Sequence, residues 1–339
     1  MRFVFAIAIA ALASGLVLSN SAVADDLYVN NTTGNDLNDG NLNINSSSNS
    51  GPLRTIARAI RLAKRGDTII VQKTDLTYNE CLTLQGVSNS GTDVLPFRIF
   101  SDGAILDGTA SVPPDAWEHF TGNVFRFMPE LKSHQTLYLD GKPVERVATA
   151  YPGHVPDLQP NQWALSEGWI YYRAEDRRVP TEYDLRYSKH QTGITMYDVQ
   201  NVIIDGLIVQ GFQLDGINAH DSVGRSIVRN CKIRGNGRSG LSVGGASRVQ
   251  VDGSVIGSNQ IAQVRSEGFC TLYVTDCRLL VSPVMGPAFD KQGGRIFIDG
   301  QPYQQAIARL NQLKDQRQSQ APAAGLPRRL PVTRNTSSR

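Results

Sequence analysis

The stretch "VIIDGLIV", residues 202 to 209, returns in altered form along the rest of the chain. Each copy leads alternating β-forming residues into an Asp or Asn, and the further copies are "IVRNCKI" (227–233), "VQVDGSVI" (249–256), "LYVTDCRL" (272–279) and "IFIDGQPY" (296–303). The marker residues are Asp205, Asn230, Asp252, Asp276 and Asp299, and their separations are 25, 22, 24 and 23 residues. So regular a spacing indicates a structural repeat of about 23 residues.

The repeat predicts an all-β solenoid. Its short apolar runs alternate with period two and are separated by Gly, Asn and Ser, with no helical pattern between them, which excludes a sheet of βαβ units. Coils of this length can stack about 4.8 Å apart and pair strand on strand as a parallel β-helix. We expect an interior apolar ladder that includes Ile204, Val228, Val251 and Val274. A β-propeller, whose blades need roughly 40 residues, and a sandwich, with its less constant spacing, fit less well.

Both ends of the chain lie outside the repeat. Residues 1–24 combine a short positive start, an apolar run and an Ala-Val-Ala cleavage site, which we interpret as a secretory signal peptide. The mature chain is therefore expected to be secreted or periplasmic, with no transmembrane segment. Residues 319–339 are rich in Pro, Ala, Ser and Arg, which predicts a disordered basic tail.

Charge and cysteine content exclude several classes of protein. The formal net charge is +3, but the final segment "QAPAAGLPRRLPVTRNTSSR" carries four Arg and no acid, so the basic character belongs to the tail. We therefore expect no nucleic-acid partner, and we expect a monomer. Four cysteines at irregular spacing do not form a disulfide framework or a metal-binding pair, although a bridge between Cys270 and Cys277 stays open.

Helices are expected at the two ends of the solenoid. In "RTIARAIRLAKR" (54–65), Ile56, Ile60 and Ala63 share one face, and the arginines occupy the opposite face. Because a β-helix must cover its open ends, we expect this segment to be an N-terminal capping helix with its arginines in solvent. At the far end, residues 303–318 have apolar residues at helical spacing and predict a C-terminal helix.

An aromatic segment interrupts the coils at residues 151–187. Within it, "GWIYYRAEDRR" (168–178) alternates like a strand and then turns, which predicts an irregular hairpin packed on the solenoid. Its rings could instead contact a ligand, since aromatic rings stack on the faces of sugars. Trp163 and Trp169 are therefore candidate substrate-binding residues.

Several of these stretches resemble a known group of proteins. "LYVNNTTGNDLNDG" (27–40) ahead of the capping helix, and "ITMYDVQNVIIDGLIVQG" (194–211), are similar to the opening and the coils of secreted right-handed parallel β-helix proteins of the pectin-lyase-like superfamily. The alginate lyase and chondroitinase-B-like branch is nearest in pattern. The resemblance covers about residues 27 to 300 and implies one right-handed β-helix domain over residues 25–302. The group includes lyases, hydrolases, epimerases and binding proteins, so fold alone does not select an activity.

Enzymes of this superfamily act along a groove on the outer face of one parallel sheet. Alignment of the coils on their marker residues sets side by side the stretches "GINAHDS" (216–222), "GLSVGGA" (240–246) and "IAQVRSE" (261–267). The alignment gives one outer row of Asn218, Ser242 and Gln263, and a second of His220, Gly244 and Arg265. Asn218 and Gln263 are therefore further candidate substrate-binding residues.

A polysaccharide lyase needs a base for the proton beside a uronic acid carboxylate, a positive group for that carboxylate, and an acid for the leaving oxygen. The catalytic candidates are His220, Arg265 and Lys291. Candidate ligands for Ca²⁺, which would replace the positive group, are Asp215, Asp221 and Glu267. A hydrolase would need two close carboxylates, either Asp215 with Asp221 or Asp221 with Glu267.

Two functions therefore compete. The first is a carbohydrate-active enzyme that binds an acidic polysaccharide and cleaves it by β-elimination. The second is a non-catalytic carbohydrate-binding or cell-surface structural protein, favoured by the modest number of coils and by the basic tail.

Overall fold

The computed structural model describes residues 24–46, 49–130, 133–282 and 285–320, so the expected signal peptide and tail lie almost entirely outside the described residues. The chain enters the solenoid through one helix and short strands. These elements are β1 (Asp26–Val29), α1 (Ile56–Leu62), β2 (Thr68–Val71), β3 (Leu82–Gln85), β4 (Phe97–Ser101) and β5 (Ile105–Asp107). Strands β3, β4 and β5 form the first coil.

The chain then leaves the solenoid and builds an antiparallel module, residues 109–188. Its strands are β6 (Thr109–Ser111), β7 (Glu118–Thr121), β8 (Val124–Phe127), β9 (Leu137–Leu139), β10 (Lys142–Pro143), β11 (Trp163–Ser166), β12 (Trp169–Arg173) and β13 (Leu185–Ser188), with short 3-10 turns at Pro114–Ala116 and Pro180–Glu182. They form two four-stranded sheets, ordered β10-β9-β13-β6 and β11-β12-β8-β7. The insertion is thus larger than the hairpin expected over residues 151–187, because β6 and β8 pair with strands that follow much later in the sequence.

The chain returns to the solenoid and completes the remaining coils. The strands are β14 (Ile194–Tyr197), β15 (Val202–Asp205), β16 (Ile208–Gln210), β17 (Asp215–His220), β18 (Ser226–Arg229), β19 (Lys232–Arg234), β20 (Ser239–Val243), β21 (Arg248–Asp252), β22 (Val255–Gly257), β23 (Ala262–Ser266), β24 (Thr271–Thr275), β25 (Arg278–Leu280), β26 (Phe289–Lys291), β27 (Arg295–Ile298) and β28 (Gln301–Pro302). Helix α2 (Tyr303–Gln320) follows the last strand. No helix among the described residues is both long and apolar enough to span a membrane.

Successive coils stack into three sheets. Sheet 1 has the order β1-β2-β4-β15-β18-β21-β24-β27-β28, sheet 2 the order β3-β14-β17-β20-β23-β26, and sheet 3 the order β5-β16-β19-β22-β25. The strands pair in parallel, except that β28 folds back on β27. Inside sheet 1, the buried residues Ile204, Val228, Val251 and Val274 pair in succession, 24, 23 and 23 residues apart. The structure therefore has the parallel β-helix and the apolar ladder that the repeat predicts.

The marker residues of the repeat lie at a sharp corner of each coil. Asn230, Asp276 and Asp299 have left-handed backbone, with φ of 53°, 48° and 46°. In an earlier coil the corner is Gly206, with φ of 75°, and a Cβ there would lie 1.9 Å from the carbonyl oxygen of Ser101. Asn, Asp and Gly adopt this conformation at the lowest cost, which explains their recurrence.

The antiparallel module has its own hydrophobic core. Residues such as Phe127, Trp163, Ile170, Tyr172 and Leu185 pack together in a cluster separate from the solenoid interior. All four cysteines are free, with Cys231 and Cys270 buried. The bridge between Cys270 and Cys277 that the sequence left open is therefore absent.

Helix α1 packs against β1, β2 and β3 with Ile56, Ala59 and Ile60 buried. It is shorter than residues 54–65 because Thr55 is the N-cap, whose Oγ1 accepts from the backbone N–H of Arg58 at 3.2 Å. The backbone becomes extended at Ala63, so the last two basic residues of the segment lie beyond the helix.

A buried carboxylate from the first coil secures the start of α1. Glu80 accepts the backbone N–H of Ile56 at 3.0 Å and of Ala57 at 2.8 Å. Replacing Glu80 with Ala is expected to lower the free energy of unfolding by about 1–3 kcal/mol, because it leaves both donors unpaired. Glu80→Gln keeps one acceptor and should lose less. Urea denaturation followed by circular dichroism measures both, and equal losses would contradict this role.

Candidate functional site

The outer face of sheet 2 carries two rows of mostly polar side chains. The first, called the Ser242 row, consists of Thr83, Thr195, Asn218, Ser242, Arg265 and Asp290. The second, called the Gly244 row, continues the same register two residues further along each strand and consists of Gln85, Tyr197, His220, Gly244, Glu267 and Gln292. We refer to this face as the groove.

The observed register corrects the predicted one. Ser242 pairs with Arg265, which lies two residues beyond the expected Gln263. Glu267 therefore occupies the place beyond Gly244 that was assigned to Arg265. The error arises because the corner residues do not keep a constant offset from the strands of sheet 2, so an alignment on the corners drifts.

Gln263 lies in the interior of the solenoid, where it belongs to a chain of amides. Its Oε1 accepts from Nδ2 of Asn259 at 2.9 Å, and its Nε2 donates to the carbonyl oxygen of Gly286 at 2.9 Å. Asn259 in turn accepts from Nδ2 of Asn236 at 2.9 Å. Because Gln263 is fully buried and satisfied from within, its predicted contact with a surface ligand is wrong.

Three neighbours in the Ser242 row each hold a buried polar atom that has no hydrogen-bond partner among the described residues. These atoms are Oδ1 of Asn218, Oγ of Ser242 and Nε of Arg265. Nδ2 of Asn218 donates to Asp215 at 3.2 Å, which fixes the orientation of the amide and leaves its oxygen unpaired. Unpaired buried polar atoms are costly unless a ligand or water satisfies them. An acceptor, a hydroxyl and a donor in succession match a ligand rich in hydroxyl groups.

Arg265 lies at the centre of the groove and has several anionic or polar neighbours. Its Nη2 lies 3.2 Å from Oε2 of Glu267 and donates to Oε1 of Gln292 at 2.8 Å. Its Nη1 lies 3.8 Å from Oδ2 of Asp290. These contacts fix the guanidinium group in place while its Nε stays free to donate.

His220 and Glu267 meet across Gly244. The distance between Nε2 of His220 and Oε1 of Glu267 is 3.7 Å, although a whole strand separates the two residues. A Cβ at position 244 would lie 2.8 Å from Nδ1 of His220 and 3.1 Å from Cγ of Glu267. Glycine at this position therefore allows the pair to form, and it favours the tautomer with the proton on Nε2 and the lone pair on Nδ1.

Asp215 lies just beyond the rows and is fully buried. Its Oδ1 accepts from Nε of Arg238 at 3.0 Å and from Oγ of Ser239 at 2.5 Å, and its Oδ2 accepts from Nη2 of Arg238 at 2.5 Å. These hydrogen bonds raise the pKa of Arg238 above its usual range. The residue acts as the counter-ion of Arg238.

The structure does not assemble the predicted calcium ligands. Asp215 is directed at Arg238, and Glu267 at Arg265 and His220. Asp221 ends β17 with a left-handed φ of 63° and accepts a hydrogen bond from Tyr197, which raises the pKa of that tyrosine. Within the described ranges, no group of three or more His, Cys, Asp and Glu residues is arranged to hold a metal ion.

Lys291 does not reach the groove. It pairs with Ser266, so it continues the interior row of sheet 2 that contains Val243. It is exposed because β26 is the last strand of its sheet, beyond which no further coil packs. The proposed catalytic role of Lys291 is therefore not supported by its position.

Both predicted tryptophans belong to the antiparallel module. Trp163 is fully buried, and its Nε1 donates to the carbonyl oxygen of Val144 at 2.9 Å, so it has no free face for a sugar. Trp169 is half-buried, and the guanidinium carbon of Arg126 lies 4.2 Å from its ring centroid. The prediction of ligand stacking is therefore wrong for Trp163, whose role is structural.

Two residues of the module that the sequence did not single out lie near the groove. Tyr138 donates from its hydroxyl to the carbonyl oxygen of Gly235, and a Cβ at Gly237 would lie 2.6 Å from the carbonyl oxygen of His134. The module therefore touches the coil just before Arg238. Burial lowers the pKa of His134, and the charges of Arg238, Arg146 and Arg265 lower it further while Asp215 raises it. Linear motifs carry no signal for His134 and Arg146, because only the fold brings them here.

A larger surface cavity lies elsewhere, at the N-terminal loop. Its volume is about 680 Å³, and Asp36 and Arg54 are among its lining residues. Asp36 already accepts the backbone N–H groups of Arg54 and Thr55 at 2.9 Å, and the hydroxyl of Thr55 at 2.8 Å. Since its acidic group is satisfied from within, we place the candidate site in the groove.

The comparisons with known proteins agree with this architecture. Residues 182–281 match the family model of the right handed beta helix region. No curated protein matches the chain. A solved structure titled a glycoside hydrolase is 11% identical and covers 76% of this chain and 73% of its own, with a TM-score of 0.54. The complex of XylC with xylose (12% identity, 80% and 69% covered, TM-score 0.45) and the pectate lyase Pel9A (12%, 82% and 62%, 0.42) are more distant. The chain is thus a right-handed parallel β-helix protein in fold.

Proposed function

We propose that this chain is a secreted or periplasmic carbohydrate-active protein that binds an acidic polysaccharide along the groove and cleaves it by β-elimination. The observation that carries the proposal is the succession of unpaired polar atoms on Asn218, Ser242 and Arg265, next to the His220–Glu267 pair. Sugar hydroxyls both donate and accept, so one sugar unit can satisfy an acceptor, a hydroxyl and a donor on adjacent strands. The glycoside hydrolase with the same general fold is consistent with a carbohydrate ligand.

The proposed chemistry assigns two roles. His220 takes the proton from the carbon beside the carboxylate through Nδ1, with Glu267 holding the ring. The electrons of that bond form a carbon–carbon double bond as the bond to the leaving oxygen breaks, and the imidazolium returns a proton to this oxygen. Arg265 donates from Nε to the carboxylate as negative charge develops on it.

A non-catalytic binding protein is the second candidate, and the charge balance of the groove favours it. Arg238 is paired with Asp215, and Arg265 is close to both Glu267 and Asp290. Paired arginines are weaker stabilisers of a developing negative charge than free ones. Binding of a polysaccharide without turnover would follow from such a groove.

An assay on a panel of polymers tests the proposal. Polygalacturonate, alginate and glycosaminoglycans are incubated with the mature chain, and ultraviolet absorbance of the unsaturated product and release of reducing ends are measured together. We expect unsaturated product from at least one polymer. His220→Asn should reduce its rate by about 100-fold or more, because general base catalysis contributes that much.

The control is Gln85→Ala, which shortens a side chain at the far end of the same row and should leave the rate unchanged. Reducing ends without unsaturated product would indicate a hydrolase. Binding without either product would favour the second candidate. Neither binding nor cleavage of any polymer would contradict a carbohydrate function.

A further inference from the structure

The fixed positive charges in the groove already have partners. Arg238 shares two hydrogen bonds with the buried carboxylate of Asp215. Arg265 lies within 3.2 Å of a Glu267 oxygen and 3.8 Å of an Asp290 oxygen. The acidic groups thus compensate both arginines, and neither offers a full charge to an anionic substrate.

Arg146 differs from both. It lies in the antiparallel module, where its guanidinium carbon is 5.5 Å from the ring centroid of the buried Trp163. Among the described residues it has no ion-pair partner. Burial lowers the pKa of its guanidinium group, as expected for a cation that has lost water without gaining an anion. A partly desolvated, unpaired arginine is a strong donor for an incoming carboxylate.

His134 links Arg146 to the groove. Its carbonyl oxygen packs against Gly237, next in sequence to Arg238, so this part of the module lies against the coil that carries the Asp215–Arg238 pair. The charges of Arg146, Arg238 and Arg265 all act on the His134 imidazole. The three arginines therefore surround one side chain, and Arg146 is the one without a carboxylate partner among the described residues.

We propose that Arg146 binds the carboxylate of a uronic acid unit, so that the antiparallel module, and not the solenoid, selects acidic over neutral polysaccharides. The proposal rests on the proposed function, because it assigns the charged group of that substrate to a residue at the rim of the groove. Arg146 is a substrate-positioning residue here and takes no part in the proton transfers. The planar guanidinium can hold both carboxylate oxygens at once.

Binding measurements on the mature chain test this role separately from cleavage. The probes are oligogalacturonate, alginate oligosaccharides and a neutral cello-oligosaccharide, measured by isothermal titration calorimetry. Arg146→Gln should weaken binding of the acidic oligosaccharides by about tenfold or more, equivalent to about 1.4 kcal/mol. Binding of the neutral oligosaccharide should not change. Arg146→Lys keeps the charge but not the planar fork, so its loss should be smaller.

The matched control is Arg126→Gln. Arg126 also belongs to the module and lies over a tryptophan ring, but it is paired with Glu118 at 3.0 Å. We expect this variant to bind all probes as the wild type does. Thermal unfolding of each variant establishes that the module stays folded, and Arg146→Lys carries the test if Arg146→Gln does not fold.

Two results would overturn the proposal: equal affinity of wild type and Arg146→Gln for the acidic probes, or no binding of those probes by the wild type. The outcome is distinguishable from that of the proposed function. Acidic oligosaccharides that bind through Arg146 but yield no unsaturated product would uphold this inference and end the β-elimination. Cleavage that needs His220 and keeps its KM in Arg146→Gln would do the reverse.

Discussion

Replacing Gly244 with Ala is expected to slow polysaccharide cleavage by about 100-fold or more, because the new methyl group separates the proposed base from the carboxylate that holds it. A Cβ at this position would lie 2.8 Å from Nδ1 of His220 and 3.1 Å from Cγ of Glu267. Both contacts are to movable parts of side chains, so they can shift while the backbone stays in place. We therefore expect a folded protein in which the 3.7 Å approach is lost.

The measurement is kcat and KM on the polymer that gives the highest rate in the panel. The loss should fall on kcat, since the groove atoms that contact the substrate are unchanged. Glu267→Gln should cause a comparable loss, and the double variant should lose little more than either single variant, because both disrupt one pair. A Gly244→Ala protein with the turnover of the wild type would show that the pair does not take part in the reaction.

Asp215→Ala is expected to lower the free energy of unfolding by about 3–5 kcal/mol, the usual cost of leaving one member of a buried ion pair alone. The side chain of Asp215 is 0% exposed and that of Arg238 22%. The substitution also removes the acceptor of Ser239 and Asn218. Urea denaturation followed by circular dichroism gives the free energy.

Two further variants make the result specific. Removing both Asp215 and Arg238 should cost less than the sum of the single losses, since no unpaired charge remains. Asp157→Ala is the control, because that carboxylate is 93% exposed and its loss should change stability by about 0.5 kcal/mol or less. A loss below about 1 kcal/mol for Asp215→Ala would contradict a buried, structural ion pair.

The architecture of the solenoid follows from the sequence because its period is local. Val228, Val251 and Val274 recur at nearly constant spacing, and parallel stacking turns that spacing directly into a ladder. The antiparallel module was underestimated for the opposite reason. Strand β6 ends at Ser111 and pairs with Arg186, so the pairing leaves no periodic signal in the sequence between them.

The candidate site was predictable only in part. His220, Arg265 and Glu267 were expected on outer strands, and the structure brings them together. Gln263 was misplaced because the step from one strand of sheet 2 to the next is 23 residues, which the corner residues do not reproduce. His134 and Arg146 come from the module, so no motif in the coils could have indicated them.

The most direct test of the account is a crystal structure of the mature chain with an acidic oligosaccharide bound. We expect the sugar units to lie along the outer face of sheet 2, with hydroxyl groups within hydrogen-bond distance of Asn218, Ser242 and Arg265, and with a carboxylate on Arg146. An oligosaccharide bound elsewhere, such as in the N-terminal loop cavity near Asp36, with sheet 2 unoccupied, would contradict the central claim that this groove is the functional site.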